Sequence, residues 1–162
     1  MKIKYILELL ILLLIIIITI ICCMRKIINK SKITEIESFH YIYTVGNYSE
    51  ASYVYDLECK DKCIIKIKEV RKTLEETPEI EVNNSIKKRL KSILIKYDIG
   101  SWNEFNKAAK NVLDGHSFTL SIKMKESKIY AQGYMKWPKN YDKFKQEIIS
   151  LFNEYKEENM EK

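Results

Sequence analysis

FTLSIKMK, residues 118–125, decides the fold: Phe118, Leu120, Ile122 and Met124 alternate with Thr119, Ser121, Lys123 and Lys125. Successive side chains of a strand point to opposite faces, so this pattern describes a strand with one face in a core and one in water. Asp114-Gly115 before it is a turn signal. Glu126-Ser127 after it turns tightly into a second strand, Lys128–Met135, with Ile129, Ala131 and Gly133 as its inner face. Pro138 ends that strand, and Asn140 caps a final helix whose Tyr141, Phe144, Ile148, Phe152 and Tyr155 line one side. The charged tail Glu157–Lys162 is expected to fray.

Toward the N-terminus three more strands are expected. FHYIYTV (39–45) is dense in aromatic and β-branched residues, and Gly46-Asn47 marks a turn. ASYVYDL (51–57) places Ala51, Tyr53, Tyr55 and Leu57 on one face, and 63–70 alternates Cys63, Ile65 and Ile67 with Lys66 and Lys68. A connector around Thr77-Pro78 closes this segment. Asn84 or Ser85 caps a helix to about Tyr97, with Ile86, Leu90, Ile93, Leu94 and Tyr97 as its apolar stripe. Gly100 stops it, and Ser101 opens a short second helix in which Trp102 and Phe105 share a face. The order is βββ-α-α-ββ-α. Short loops between consecutive strands favour antiparallel pairing. The expected fold class is α+β: about five mainly antiparallel strands with helices on one face, behind one N-terminal transmembrane helix.

That last element rests on residues 5–24. From Leu9 to Met24 there is no charged residue. At 1.5 Å per residue, about 20 residues match a hydrocarbon core of about 30 Å. The run ends Thr19-Ile20-Ile21-Cys22-Cys23-Met24 without the small residues of a cleavage site, so it reads as a retained anchor that meets the lipid bilayer through residues 5–24. Residues 1–32 form the anchor with its basic flanks, and 33–162 a single α+β domain. Basic residues after the span favour a cytoplasmic domain, whereas a short basic N-terminus resembles an uncleaved export signal.

The formal charge of +6 suggests nucleic acid until the chain is split. Residues 1–32 hold six basic residues and one acid, which leaves the remainder with 22 basic and 21 acidic residues. A phosphate-tracking surface needs a concentrated positive field, so no nucleic-acid partner is expected. The abundance of isoleucine and lysine points to an AT-rich bacterial genome. Cys59 and Cys63 flank Lys60-Asp61-Lys62 between two strands. A disulfide there would imply an oxidising compartment, and two unpaired thiols are the other reading. No cofactor or metal is expected, since two cysteines lack the further ligands of a zinc site.

Nucleophile motifs, glycine-rich phosphate loops and metal-binding helices are absent from the sequence. A small hydrolase using His116 and Asp114 is the enzymatic alternative, set against a turn aspartate bonding its own backbone. The aromatic surplus is the stronger signal: Tyr41, Tyr43, Tyr48, Tyr53 and Tyr55 cluster in the first hairpin, and Tyr130, Tyr134 and Trp137 in the second. If helices cover one sheet face, a tyrosine-rich strip remains on the other, where rings with polar tips suit a partner. Candidate binding residues are Tyr43, Tyr55, Tyr134 and Trp137, for a non-enzymatic module binding a protein or peptide at the cell envelope.

Trp102 to Tyr141 also carries a resemblance. Trp102 and Phe105 (W-x-x-F), Asp114, Gly115, Phe118 and Leu120 (D-G-x-x-F-x-L), Ala131 and Gly133 (A-x-G), and Pro138 and Tyr141 (P-x-x-Y) form one series. It resembles a family of small membrane-anchored or lipidated proteins of Gram-positive gut bacteria with no activity attached. That family often has asparagine where this chain has Met135. The resemblance implies an extracytoplasmic domain and no particular reaction.

Overall fold

The structure, a computed structural model, describes residues 8, 11–20, 32–46, 51–70 and 77–160. The chain divides into two units, Met1–Lys30 and Ser31–Lys162. In the first, α1 is described over residues 11–20, and Glu8 is helical as well. Its large apolar side chains are about half exposed, from Ile17 at 45% to Leu14 at 58%. The Thr19 hydroxyl is satisfied within the helix, donating to the Ile16 carbonyl at 2.7 Å.

The second unit is a seven-stranded sheet with helices over one face. Its strands are β1 (Ile36–Thr44), β2 (Tyr53–Cys59), β3 (Cys63–Glu69), β4 (Ile80–Val82), β5 (Phe105–Ala108), β6 (Ser117–Met124) and β7 (Lys128–Tyr134). They lie in the order β4-β3-β2-β1-β6-β7-β5. Every neighbouring pair is antiparallel except β5 and β7, which run parallel. Helices α2 (Ser85–Lys96) and α3 (Tyr141–Met160) and a 3₁₀ turn, Ile99–Trp102, complete the unit.

Register explains which face is buried. Tyr41 stands opposite Tyr55 on β2 and Leu120 on β6, and Leu120 opposite Ala131 on β7. All four are buried, together with Phe39, Leu57, Ile65, Ile122 and Ile129. Helix α3 lies on these side chains: Phe144 meets Tyr41 edge-on at 5.6 Å and Phe152 meets Tyr55 at 5.4 Å. Full burial of a ring of this size contributes about 1.5–3 kcal/mol. The Tyr41 hydroxyl bonds that of Tyr141 at 2.8 Å inside this layer, which removes the cost of burying either one unpaired. Helix α2 adds Ile86, Leu90 and Leu94 to the same core.

Several expectations are corrected. Five mainly antiparallel strands become seven in a mixed sheet, because β4 and β5 extend its two edges. The short helix after Ser101 is a single 3₁₀ turn, in which the Ser101 amide donates to the Asp98 carbonyl at 2.9 Å. The chain then leaves helical space at Asn103 (ψ 134°) and turns through left-handed Glu104 (φ 64°) into β5. Trp102 and Phe105 share a core but belong to different elements. Helix α2 stops at left-handed Asp98 (φ 56°), before Gly100. At its start Asn84 holds the N-cap position, as expected, but its side chain makes no cap hydrogen bond; Asn83 accepts the Ser85 amide at 2.9 Å. Strand β1 begins at Ile36 because a bulge between Ile36 and Ser38 lets both Ile36 and Phe39 reach the core. The expected fraying from Glu157 is replaced by helix as far as Met160.

The transmembrane helix is corrected too. Among the described residues no helix is long and apolar enough to cross a membrane. Residues 11–20 rise about 15 Å at 1.5 Å per residue, half of a hydrocarbon core. Hydropathy registers the apolar composition of 5–24, which does not by itself set the length of a helix. The remainder of that stretch with Cys22 and Cys23, the basic flank of 25–31, Asn47, Tyr48, Glu75-Glu76 and residues 161–162 lie outside the described residues.

Two predictions follow from the sealed aromatic layer. Tyr55→Ser lowers stability by about 3–5 kcal/mol, the range for emptying a buried ring site, whereas Tyr130→Ser stays within about 0.5 kcal/mol; urea denaturation of both variants checks this. Burial holds the Tyr41, Tyr55 and Tyr141 hydroxyls well above the ordinary tyrosine range. A folded-state pKa raised in this way contributes stability below the unfolded value of about 10, lost as pH rises beyond it. The urea midpoint is therefore expected to hold to about pH 10 and fall above it.

Candidate binding site

The residues singled out in the sequence do not form one strip. Tyr43 stands opposite Tyr53, and Tyr41 opposite Tyr55, on the face that α3 covers. Tyr55 is 3% exposed, so no partner reaches it without opening the core. Tyr43 is half-buried at the edge of that layer, with the Lys145 ammonium 4.1 Å from its ring centre. Tyr134 lies on the other face of the sheet, but its hydroxyl is committed. It accepts the Gly115 amide at 2.9 Å and donates to the Val112 carbonyl at 3.0 Å, tying the 112–115 turn to β7. Trp137 is 38% exposed and stacks on Tyr141 at 4.6 Å.

Tyr43 and Trp137 do converge, where β1 ends, β6 and α3 begin and the chain leaves β7. They line a small hollow of about 170 Å³ with Thr44, His116, Ser117, Tyr141, Asp142 and Lys145. The Thr44 and Ser117 hydroxyls bond each other across β1 and β6. His116 reaches this hollow because β6 starts there, and its backbone amide contacts the Met135 sulfur at 3.1 Å. Asp114 is exposed on a left-handed turn (φ 54°). Among the described residues no hydrogen bond or ion pair joins its carboxylate to the His116 ring, so the two do not form an acid–base pair. The turn packs closely: a Cβ on Gly46 would lie 1.9 Å from the Asp114 carbonyl oxygen.

The opposite face, which no helix covers among the described residues, was not resolved residue by residue in the sequence. Register assembles it: His40 stands between Asp56 and Ser121, and Ile42 between Val54 and Thr119. Further rows bring Lys66 beside Asp56, Tyr130 beside Ser121 and Gln132 beside Thr119. Ile42 and Val54 are half-buried at the centre. Around them His40 pairs with Asp56, Lys66 with Glu79 at 2.6 Å, and Tyr130 donates to Gln132 at 2.8 Å, which bonds Asn106 at 3.0 Å. Tyr130 is 47% exposed. Near the hairpin end a disulfide joins Cys59 and Cys63, which face each other in register.

The aromatic members of the W-x-x-F to P-x-x-Y series pack together. Phe118 meets Trp102 at 6.3 Å, Phe105 at 6.1 Å and Tyr141 at 4.7 Å. A Cβ on Gly133 would lie 2.1 Å from the Lys136 carbonyl oxygen and 2.6 Å from the Phe118 ring. Comparison with protein-family models and with curated proteins finds no match.

Met135 occupies the left-handed region at φ 51°, where asparagine is favoured over other side chains bearing a Cβ. The asparagine that the resemblance leads one to expect there suits the backbone itself. Met135→Asn is expected to stabilise the domain by about 1 kcal/mol, a rise in Tm of roughly 2–6 °C, measured by thermal denaturation. No change or a loss would show that the methionine sulfur contact outweighs the backbone strain.

Proposed function

We propose that this chain is a non-enzymatic module that binds a protein or peptide partner across the helix-free face of its sheet. The observation that carries this reading is the composition of that face. An apolar centre, Ile42 and Val54, is ringed by hydrogen-bonded polar groups and by exposed Tyr130, the arrangement of a specific interface with a desolvated core and polar rim. Tyr43 and Tyr55 cannot serve instead, because Tyr55 is buried beneath α3 and Tyr43 is half-buried at the edge of the same layer. Balanced charge over residues 33–162 favours a partner recognised by shape and hydrogen bonding over one attracted by a net field.

Location enters the proposal through two further features. The Cys59–Cys63 disulfide supports an oxidising, extracytoplasmic compartment. The exposed leucines and isoleucines of α1 support attachment of the N-terminal unit to lipid, as residues that water disfavours. Together they favour the bacterial cell envelope. An enzymatic reading built on His116 and Asp114 has no shared geometry to support it.

Selection of binding peptides from a displayed library against the full-length chain tests the proposal. Tyr130→Ala and Ile42→Thr are each expected to weaken the selected peptides at least tenfold, about 1.4 kcal/mol, with the Tm unchanged. Trp137→Ala is expected to leave them bound. Peptides that tolerate both open-face substitutions would overturn the reading.

A further inference from the structure

A second ligand class is suggested by the hollow at the end of the sheet, independently of the open face. Its floor is aromatic and fixed. Trp137 lies nearly parallel to Tyr141 (21°) at 4.6 Å, and Tyr141 packs on Phe118 at 4.7 Å. Tyr141 is buried while Trp137 keeps 38% of its surface in solvent. Tyr43 and polar residues complete the lining: His116, Asp142 and Lys145, with Thr44 and Ser117, whose hydroxyls bond each other. Among the described residues, Asp142 and His116 spend no side-chain hydrogen bond on a neighbour.

Size and charge narrow the occupant. About 170 Å³ is well below the roughly 300–1,000 Å³ of sites for drug-sized ligands, so one ring fits and an oligopeptide does not. One carboxylate and one ammonium leave the hollow without net charge. A ligand ammonium would meet Lys145, which already lies over the Tyr43 ring, and a phosphate or carboxylate would meet Asp142. An apolar aromatic side chain would strip water from the polar wall and return no hydrogen bonds, which is costly. A neutral ring with apolar C–H faces and a rim of hydroxyls matches both floor and wall. We propose that the Trp137–Asp142–Lys145 hollow binds a single neutral pyranose ring of a glycan. The C–H face lies on Trp137, and hydroxyls bond Asp142, Lys145 and His116.

The chain has two tryptophans, and Trp102 is buried at 2% exposure, so a change in emission on filling the hollow is assigned to Trp137. The experiment titrates the full-length protein, held in lipid nanodiscs free of glycolipid, with methyl glycosides of glucose, galactose, mannose and N-acetylglucosamine. A saturable change in emission is expected for at least one glycoside, with an affinity around millimolar, as the ligand efficiency of so small a molecule allows. Asp142→Asn, which leaves the aromatic stack untouched, is expected to weaken it at least tenfold without moving the Tm. Trp137→Phe is expected to abolish the emission change and to weaken binding read by saturation-transfer NMR. Absence of saturation for every glycoside at tens of millimolar, or binding indifferent to Asp142→Asn, overturns the proposal. Saturable binding of tyrosine amide or phosphate in place of all four glycosides overturns it as well, in favour of a peptide or an anion.

Discussion

The contact between the β1–β2 tyrosines and α3 is the constraint on which the rest of the domain depends. Tyr41 and Tyr55 stand side by side in register, with ring centres 6.3 Å apart, and Phe144 and Phe152 come down on them edge-on. Once these rings are buried, every odd position of β1 from Phe39 to Tyr43 turns toward the helices, and His40 and Ile42 must turn away. Because side chains alternate along each strand, that choice passes through the register to β6 and β7. Ser121 on the adjacent β6, and Tyr130 and Gln132 one strand further on, are set outward by the same rings. The Tyr41–Tyr141 hydroxyl pair makes the arrangement specific in addition to apolar.

Two surfaces follow, of different chemistry. The face away from the helices is broad, hydrogen-bonded across its strands and apolar only at its centre. The hollow at the sheet's end is narrow, with an aromatic floor and a wall of mixed sign. Tyr134 connects them: on β7 it faces outward, yet its hydroxyl holds the 112–115 turn that carries His116 into the hollow. This residue acts by position, through the loop it fixes.

Much of the domain was legible in the sequence where one rule sufficed. FTLSIKMK and the strand after it alternate with no competing pattern, and their pairing was read within a residue of the observed bounds. The stripes of α2 and α3 were equally clear. What escaped depended on non-local pairing. Strands β4 (IEV) and β5 (FNKA) are too short for a periodic signal, and β5 exists because β7 offers it a parallel edge. The chain leaves its helical turn through Asn103 and left-handed Glu104, and glutamate does not announce such a conformation. The tyrosines misled for a related reason. Alternation put Tyr53 and Tyr55 on one face of their strand, but which face the helices cover is decided by α3, about 100 residues away in the chain. Hydropathy likewise read 5–24 as one span, whereas among the described residues no helix is long and apolar enough to cross a membrane.

Hydroxyl-radical footprinting of the native full-length chain, read tyrosine by tyrosine by mass spectrometry, tests the central claim most directly: the outward surface is the Ile42–Tyr130 face, and the tyrosine strip is core. Tyr130 is expected to be modified rapidly, with Tyr41 and Tyr55 protected until the domain is unfolded. Modification of Tyr55 as fast as Tyr130 in the folded protein would contradict the account, since it would put the tyrosine strip in solvent and the helices on the other side of the sheet.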